Sequence, residues 1–358
     1  MAAYYVNDVV APLKTMLETD LAWSSTDFGF FTGGYSFLNV FFLMLIWGGL
    51  ILDRFGIRFT GKLATILMVG GTALEYYAMT GLAGADATLF GINEIFGYKT
   101  GVFVAFAGYS IFGVGAEVAG ITVSKIIAKW FKGKELATAM GVQVALARIG
   151  SQAGYAVAIP LARAFGISTP VLLGLVLLLG GMIAFFIFAV MDKKLDKQME
   201  AAAIAAGTED EEEKFSFKDV KNILVNPGFW LIALLCVLFY SCVFPFQKFA
   251  SELMIIKYGI NENVAGTFAG LPALGALILT PVFGGFIDKR GKSASIMLLG
   301  SAMLICVHFI YAIPDINYWL VAIVLMIILG IAFSLVPSAM WPAVAKIFPV
   351  SQLGTASH

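Results

Sequence analysis

The chain has 358 residues, 60% of them hydrophobic and 13% charged, with 23 basic residues against 23 acidic ones. Soluble domains carry about 25% charged residues, so this composition excludes a soluble protein and points to one that crosses a membrane many times. The absence of a basic tract excludes a nucleic-acid partner. Two histidines, His308 and His358, and three cysteines without ligand spacing, Cys236, Cys242 and Cys306, leave no material for a triad or a zinc site. Neither an enzyme nor a cofactor or metal is expected.

Residues 1–15 are amphipathic and too short for a hydrocarbon core that needs about 20 apolar residues. They read as the outer end of a first helix. Full-length spans are expected at about 28–51, 61–83, 101–127, 135–165, 169–191, 228–255, 263–287, 293–313 and 317–345, and Gln352–His358 reads as the opening of another. Lysine and arginine crowd into alternate connections: Arg54, Arg58 and Lys62; Lys125 to Lys134; Lys193 to Lys221; Lys289 to Lys292; Lys346. The other connections hold little more than Lys14, Lys99 and Lys257. The positive-inside rule therefore places the first set in the cytoplasm.

Residues 193–226 form a polar linker, cationic, then alanine-rich, then acidic from Glu209 to Glu213, with helix or disorder expected. The linker divides the chain into a helix bundle at 1–192 and a second at 227–358. Gly49-Leu-Ile-Leu-Asp53-Arg54-Phe-Gly56-Ile-Arg58 in the first is echoed by Gly284-Gly-Phe-Ile-Asp288-Lys289-Arg-Gly291-Lys292 in the second, at the equivalent connection.

Two opposite charges stand inside consecutive apolar segments. A charge at mid-membrane costs about 2.5 to 3.5 kcal/mol on insertion scales and usually faces a bundle interior or a water-filled path. Glu117 shares a helical face with Ser110, Gly113, Gly120 and Ser124. On the next span Arg148, Gln152 and Tyr155 fall at i, i+4 and i+7, and Arg148 lies close to mid-depth. Arg148 suits a substrate carboxylate and Glu117 a substrate ammonium or a proton; the two could instead neutralise each other. Further candidate cavity groups are Tyr4 and Asp8, then Tyr240 and Lys248 around Pro245, and Trp341 beside Pro337 and Pro342. His308 reads as a lone satisfied polar residue.

The paired loop motif at equivalent points of two six-span halves resembles the major facilitator superfamily over the whole chain. That resemblance implies an all-α fold of two six-helix bundles, here with a partial first helix and without the last two. It also implies that Gly49, Asp53, Arg54, Gly56, Asp288 and Lys289 form a cytoplasmic gate latching the halves.

More specific stretches are Gly113-Val-Gly-Ala-Glu117, Trp130-Phe-Lys-Gly-Lys-Glu-Leu136 with Ala147-Arg148-Ile-Gly-Ser151, Phe244-Pro-Phe246, and Trp341-Pro342 through Ala356. These are similar to the lysosomal dipeptide uniporter group. The resemblance implies that Glu117 meets a dipeptide amino terminus and Arg148 its carboxylate. The expected partners are a small molecule, a dipeptide or an organic anion, and the lipid bilayer; no accessory subunit can be read. A bacterial plasma membrane, or a lysosomal-type membrane in a eukaryote, is the expected setting. A proton-coupled organic-anion carrier and a non-transporting receptor remain the rival readings.

Overall fold

The computed structural model describes residues 1–84, 87–131, 135–206 and 225–347, with side chains left undescribed at 136–137, 197, 199–206, 288 and 341–347. It is almost wholly helical. In chain order the elements are α1 (Ala2–Val9), a 3-10 turn (Ala11–Leu13), α2 (Lys14–Asp20), α3 (Ser25–Phe41), α4 (Met44–Thr80), α5 (Thr100–Trp130), α6 (Leu136–Phe165) and α7 (Thr169–Ala206). After the linker follow α8 (Pro227–Ile256), α9 (Glu262–Ala269), α10 (Leu271–Arg290), α11 (Ser293–Ala312) and α12 (Trp319–Ile347).

Local chemistry sets several of these boundaries. Pro12 lacks the N–H that a continuous helix needs, so the first helix steps through a 3-10 turn and carries on to Asp20, beyond the expected limit of residue 15. Ser24 and Asp27 form a reciprocal capping box that starts α3. A span at 28–51 is expected to be continuous, yet it breaks at Phe42 and Leu43, where Leu43 takes a left-handed conformation and the chain bends by 58°. Gly56 then interrupts α4 with φ 74° and ψ 173°, a backbone region essentially reserved for glycine. Between α4 and α5 a two-stranded hairpin, β1 (Glu94–Ile95) and β2 (Tyr98–Lys99), turns on Phe96 and Gly97, both with positive φ. Such a turn matches the twist of the strands it joins.

Six helices among the described residues are long and apolar enough to cross a membrane, and α3 with α4 makes up to seven. This is fewer than the nine full spans expected. The difference lies partly in α6, whose middle carries Gln143, Arg148, Ser151 and Gln152. It also lies in the broken stretch from Ser25 to Thr80. The helix of α7 runs to Ala206, well into the expected linker. The acidic run Glu209–Glu213 and the segment Gln352–His358 lie outside the described residues.

Buried side chains gather into two main clusters. One is built from α1 to α7 around Tyr5, Val9, Phe28, Phe31, Tyr109 and Phe112. The other is built from α8 to α12 around Phe239, Val243, Met326 and Phe333, and takes in Ala11 and Tyr155 from the earlier helices. Glycines allow the closest crossings: a Cβ on Gly108 would stand 2.6 Å from the Gly71 carbonyl oxygen, so α4 and α5 meet backbone to backbone.

Candidate functional site

Gly113 prepares the acidic side of the site. A Cβ there would lie 2.5 Å from the Tyr35 carbonyl oxygen, so only a glycine lets α3 lie this close to α5. One turn further along α5, Glu117 Oε1 then accepts a hydrogen bond from the Tyr35 hydroxyl at 2.7 Å. The Tyr35 backbone is itself engaged by the Asn39 amide at 2.9 Å.

On the other side, Gly150 and Gly154 of α6 sit against the backbone of α1, at Met1 and at Tyr5 to Val9. That packing brings Tyr4, 47% exposed, within electrostatic reach of Arg148, Glu117 and Asp8. The Arg148 guanidinium lies over the Phe333 ring, 5.0 Å from its centroid. Phe333 is one face of an aromatic wall with Phe239, Tyr240 and Phe244, at centroid distances of 6.3, 6.4 and 6.1 Å. Both charged residues are half-buried, and among the described residues no ion pair joins them. Each is held by an aromatic partner instead. An arginine on an aromatic face keeps its planar edge available for a carboxylate.

The structure thus puts Tyr4 within electrostatic reach of both Glu117 and Arg148, and Tyr240 against the Phe333 ring that Arg148 covers. It places Gln152, Tyr155 and Asp8 elsewhere, in a seal on the outer side. The Gln152 amide donates to the Thr267 carbonyl at 3.3 Å, and the buried Tyr155 hydroxyl donates to the Gln247 carbonyl at 3.1 Å. Asp8 stands 3.6 Å from Lys248, whose ammonium also donates to the Asn7 carbonyl at 2.5 Å and the Tyr109 hydroxyl at 3.1 Å. The seal continues outward. Lys14 pairs with Glu18 at 2.8 Å and with Glu252 on α8, and Arg163 pairs with Glu262 and bonds Asn263 at 2.9 Å. Gly266 and Gly270 fit directly against Tyr155 and Gln152. Glu18 has its carboxyl lowered from the ordinary glutamate range, chiefly by the Lys14 hydrogen bond and then by that of Ser25.

At the cytoplasmic end the charges pair within the first half. Asp53 accepts from Lys125 at 2.8 Å, and Arg58 and Lys129 converge on Asp192 and Asp196. Arg54 lies over the ring of Phe55. Among the described residues, which exclude the Asp288 side chain, no hydrogen bond or ion pair joins the two halves here. Gly49 has open space beside it, Lys289 is exposed, and the Asp288 and Trp341 side chains lie outside the described residues. His308 has carbonyl oxygens at both ring nitrogens, Leu304 at 2.9 Å and Cys242 at 3.1 Å, which fits a satisfied polar residue.

Sequence reasoning passes over three residues that matter here. Tyr35 and Phe333 sit in aromatic-rich helices, where one more ring carries no signal. Glu75 is a third, fully buried in α4. The rule that singles out Glu117, a carboxylate inside an apolar run, finds Glu75 as well.

Known proteins bear on the fold and the family. The chain is 28% identical to the lysosomal dipeptide transporter MFSD1 of Homo sapiens over 368 residues, covering 99% of this chain and 72% of that protein. It is 27% identical to the protein of that name from Danio rerio over 365 residues, with the same coverage. Among solved structures it is similar to a D-xylose-proton symporter (TM-score 0.65, 17% identity, 99% of this chain and 82% of that one). It is also similar to the peptide transporter POT in complex with sulfate (TM-score 0.62, 13% identity, 99% and 83%). At those identities the structures speak to the fold alone. The profile of the Major Facilitator Superfamily matches residues 1–357, and the chain belongs to that superfamily of membrane transporters.

Proposed function

We propose that the chain carries small peptides with free termini, dipeptides foremost, across its membrane by alternating access and as a uniporter. The observation that carries this reading is the unpaired opposition of Glu117 and Arg148. A buried ion pair kept for stability alone has its two charges in contact, and it is a weak stabiliser where hydrophobic replacements would serve. Here the carboxylate is held by Tyr35 and the guanidinium by Phe333, with Tyr4 in the field of both. A zwitterion bridges such a site, with its ammonium on Glu117 and its carboxylate on Arg148. Relatives named as lysosomal dipeptide transporters support this cargo.

The bundles at 1–192 and 227–358 rock about this site. Among the described residues, the hydrogen bonds and ion pairs between them lie on the outer side, which supports a site that opens to the cytoplasm in this state. When that side closes, the loops bearing Gly49, Asp53, Arg54 and Gly56, and Asp288 with Lys289, come together, and Asp53 exchanges Lys125 for a partner on the second half. A lysosomal-type membrane is the setting in a eukaryotic cell, and the plasma membrane in a bacterium.

The test is a thermal-shift screen of the purified protein against dipeptides, the same dipeptides with blocked termini, free amino acids and dicarboxylates. A ligand that binds only the folded state raises the melting temperature by mass action. Dipeptides with free termini are expected to stabilise the wild type and to lose that effect in Arg148→Ala. Stabilisation by dicarboxylates alone would replace the reading with an organic-anion carrier, and no shift with any of them would favour a non-transporting receptor.

A further inference from the structure

Glu75 is fully buried in α4, and neither carboxylate oxygen has a hydrogen-bond partner among the described residues. The hydroxyl of Thr72, one turn back on the same face, is likewise buried and unpartnered. Next to it the helices are in backbone contact, since a Cβ on Gly108 would stand 2.9 Å from the Glu75 amide nitrogen. An ionised carboxylate with no paired cation and no donor is not tolerated in such a place; the group takes a proton instead.

The surroundings say from which side that proton comes. Glu75 lies five residues from the outer end of α4 at Thr80, roughly 7 to 8 Å along the axis. Among the described residues, Lys248 on α8 is the one cation whose field reaches it, and Glu75 acts in turn on Tyr109 of α5. Asp8 on α1 also acts on Tyr109 and pairs with Lys248. On its own helix, Tyr76 and Tyr77 follow it directly. Of the other helices packed on α4, α3 offers only Asp27 and Tyr35, and α7 has no titratable side chain before Asp192. Lys248 belongs to the second half and is tied to Asn7, Asp8 and Tyr109 of the first. When α8 swings away on outer opening, the cover over Tyr109 leaves with it, and Glu75 behind is reached by water from the outside.

We propose that Glu75 is a proton-binding site, loaded and emptied from the outer side, whose occupancy favours closure of the outer face. The carboxylate takes up one proton as the seal forms and returns it to the same compartment when the seal opens. No proton crosses the membrane, so flux remains uniport while its rate follows outer pH. The inference does not depend on the cargo being a dipeptide.

Two measurements on the whole protein test it without any cargo. Infrared difference spectra on pH titration are expected to show a protonated carboxyl band at neutral pH in the wild type, lost in Glu75→Gln and retained in Glu117→Gln. Glu75→Ala serves the same purpose if the Gln variant does not fold. Spin labels at Asp20 and Asp315, both exposed at the outer end, in a background with the native cysteines replaced, report closure. The short-distance population should fall as pH rises in the wild type and stay constant in Glu75→Gln. A band that survives both Glu75 substitutions, or an unchanged pH response in Glu75→Gln, would overturn the proposal. Failure of the dipeptide screen would leave both readouts untouched.

Discussion

At the scale of single residues, Glu117 and Arg148 each rest against an aromatic partner, Tyr35 and Phe333. The Tyr35 hydrogen bond to Glu117 is of the charge-assisted kind, and such bonds contribute about 1.5 to 3 kcal/mol. Tyr35→Phe is therefore expected to lower the melting temperature without ligand and, by leaving the Glu117 carboxylate unheld, to weaken binding of a free-terminus dipeptide by about tenfold or more. Titration calorimetry checks it, and an unchanged affinity would remove Tyr35 from the site. The charged pair was legible in the sequence because a carboxylate and a guanidinium stand out against apolar helices. Their aromatic holders were not, since Tyr35 lies among Phe30, Phe31 and Phe37, and only the close approach at Gly113 decides which ring reaches Glu117. Helical periodicity placed Gln152 and Tyr155 on the face of Arg148. It could not tell that the second bundle covers that face one turn further out.

At the scale of elements, glycine and proline determine where helices bend. Sequence located the loop between the second and third spans through its charges and Gly56. It missed the break at Leu43, because nothing in Phe41-Phe42-Leu43-Met44 disfavours a helix. At Gly56 the backbone itself demands glycine, with φ 74° and ψ 173°. Gly56→Ala introduces strain of about 1 to 3 kcal/mol, so the variant should melt several degrees lower, seen by thermal denaturation in detergent. Gly49→Ala, with open space around it and a helical backbone, should melt like the wild type. If the two variants melt alike, the kink is not what holds that loop.

At the scale of the whole molecule, the described residues tie the two halves together on the outer side, and that seal is electrostatic at its rim. Glu18 has its carboxyl depressed by Lys14 and Ser25. A depressed carboxylate contributes stability above its unfolded pKa, and that contribution is lost as pH falls through the folded value. The melting temperature of the wild type should therefore drop on acidification below the ordinary glutamate range, and Glu18→Gln should flatten that acid limb. Because the group is partly exposed, the effect is small and shrinks further in high salt. An acid limb of equal depth in the variant would assign it to other carboxylates. Composition and alternating loop charge made the all-helical, many-span class legible. The seal was not, because it joins residues 92 to 241 positions apart, such as Tyr155 with Gln247 and Asn7 with Lys248.

The proposed transport requires one zwitterion that bridges Glu117 and Arg148 and is carried across. Counterflow in proteoliposomes tests it most directly: vesicles loaded with an unlabelled dipeptide, a trace of labelled dipeptide outside, and wild type beside Arg148→Ala and Glu117→Gln. The account predicts accumulation of label in the wild type alone, competed by peptides with free termini and not by peptides with either terminus blocked. Label that accumulates equally in Arg148→Ala, or that blocked peptides compete away as well as free ones, would contradict it.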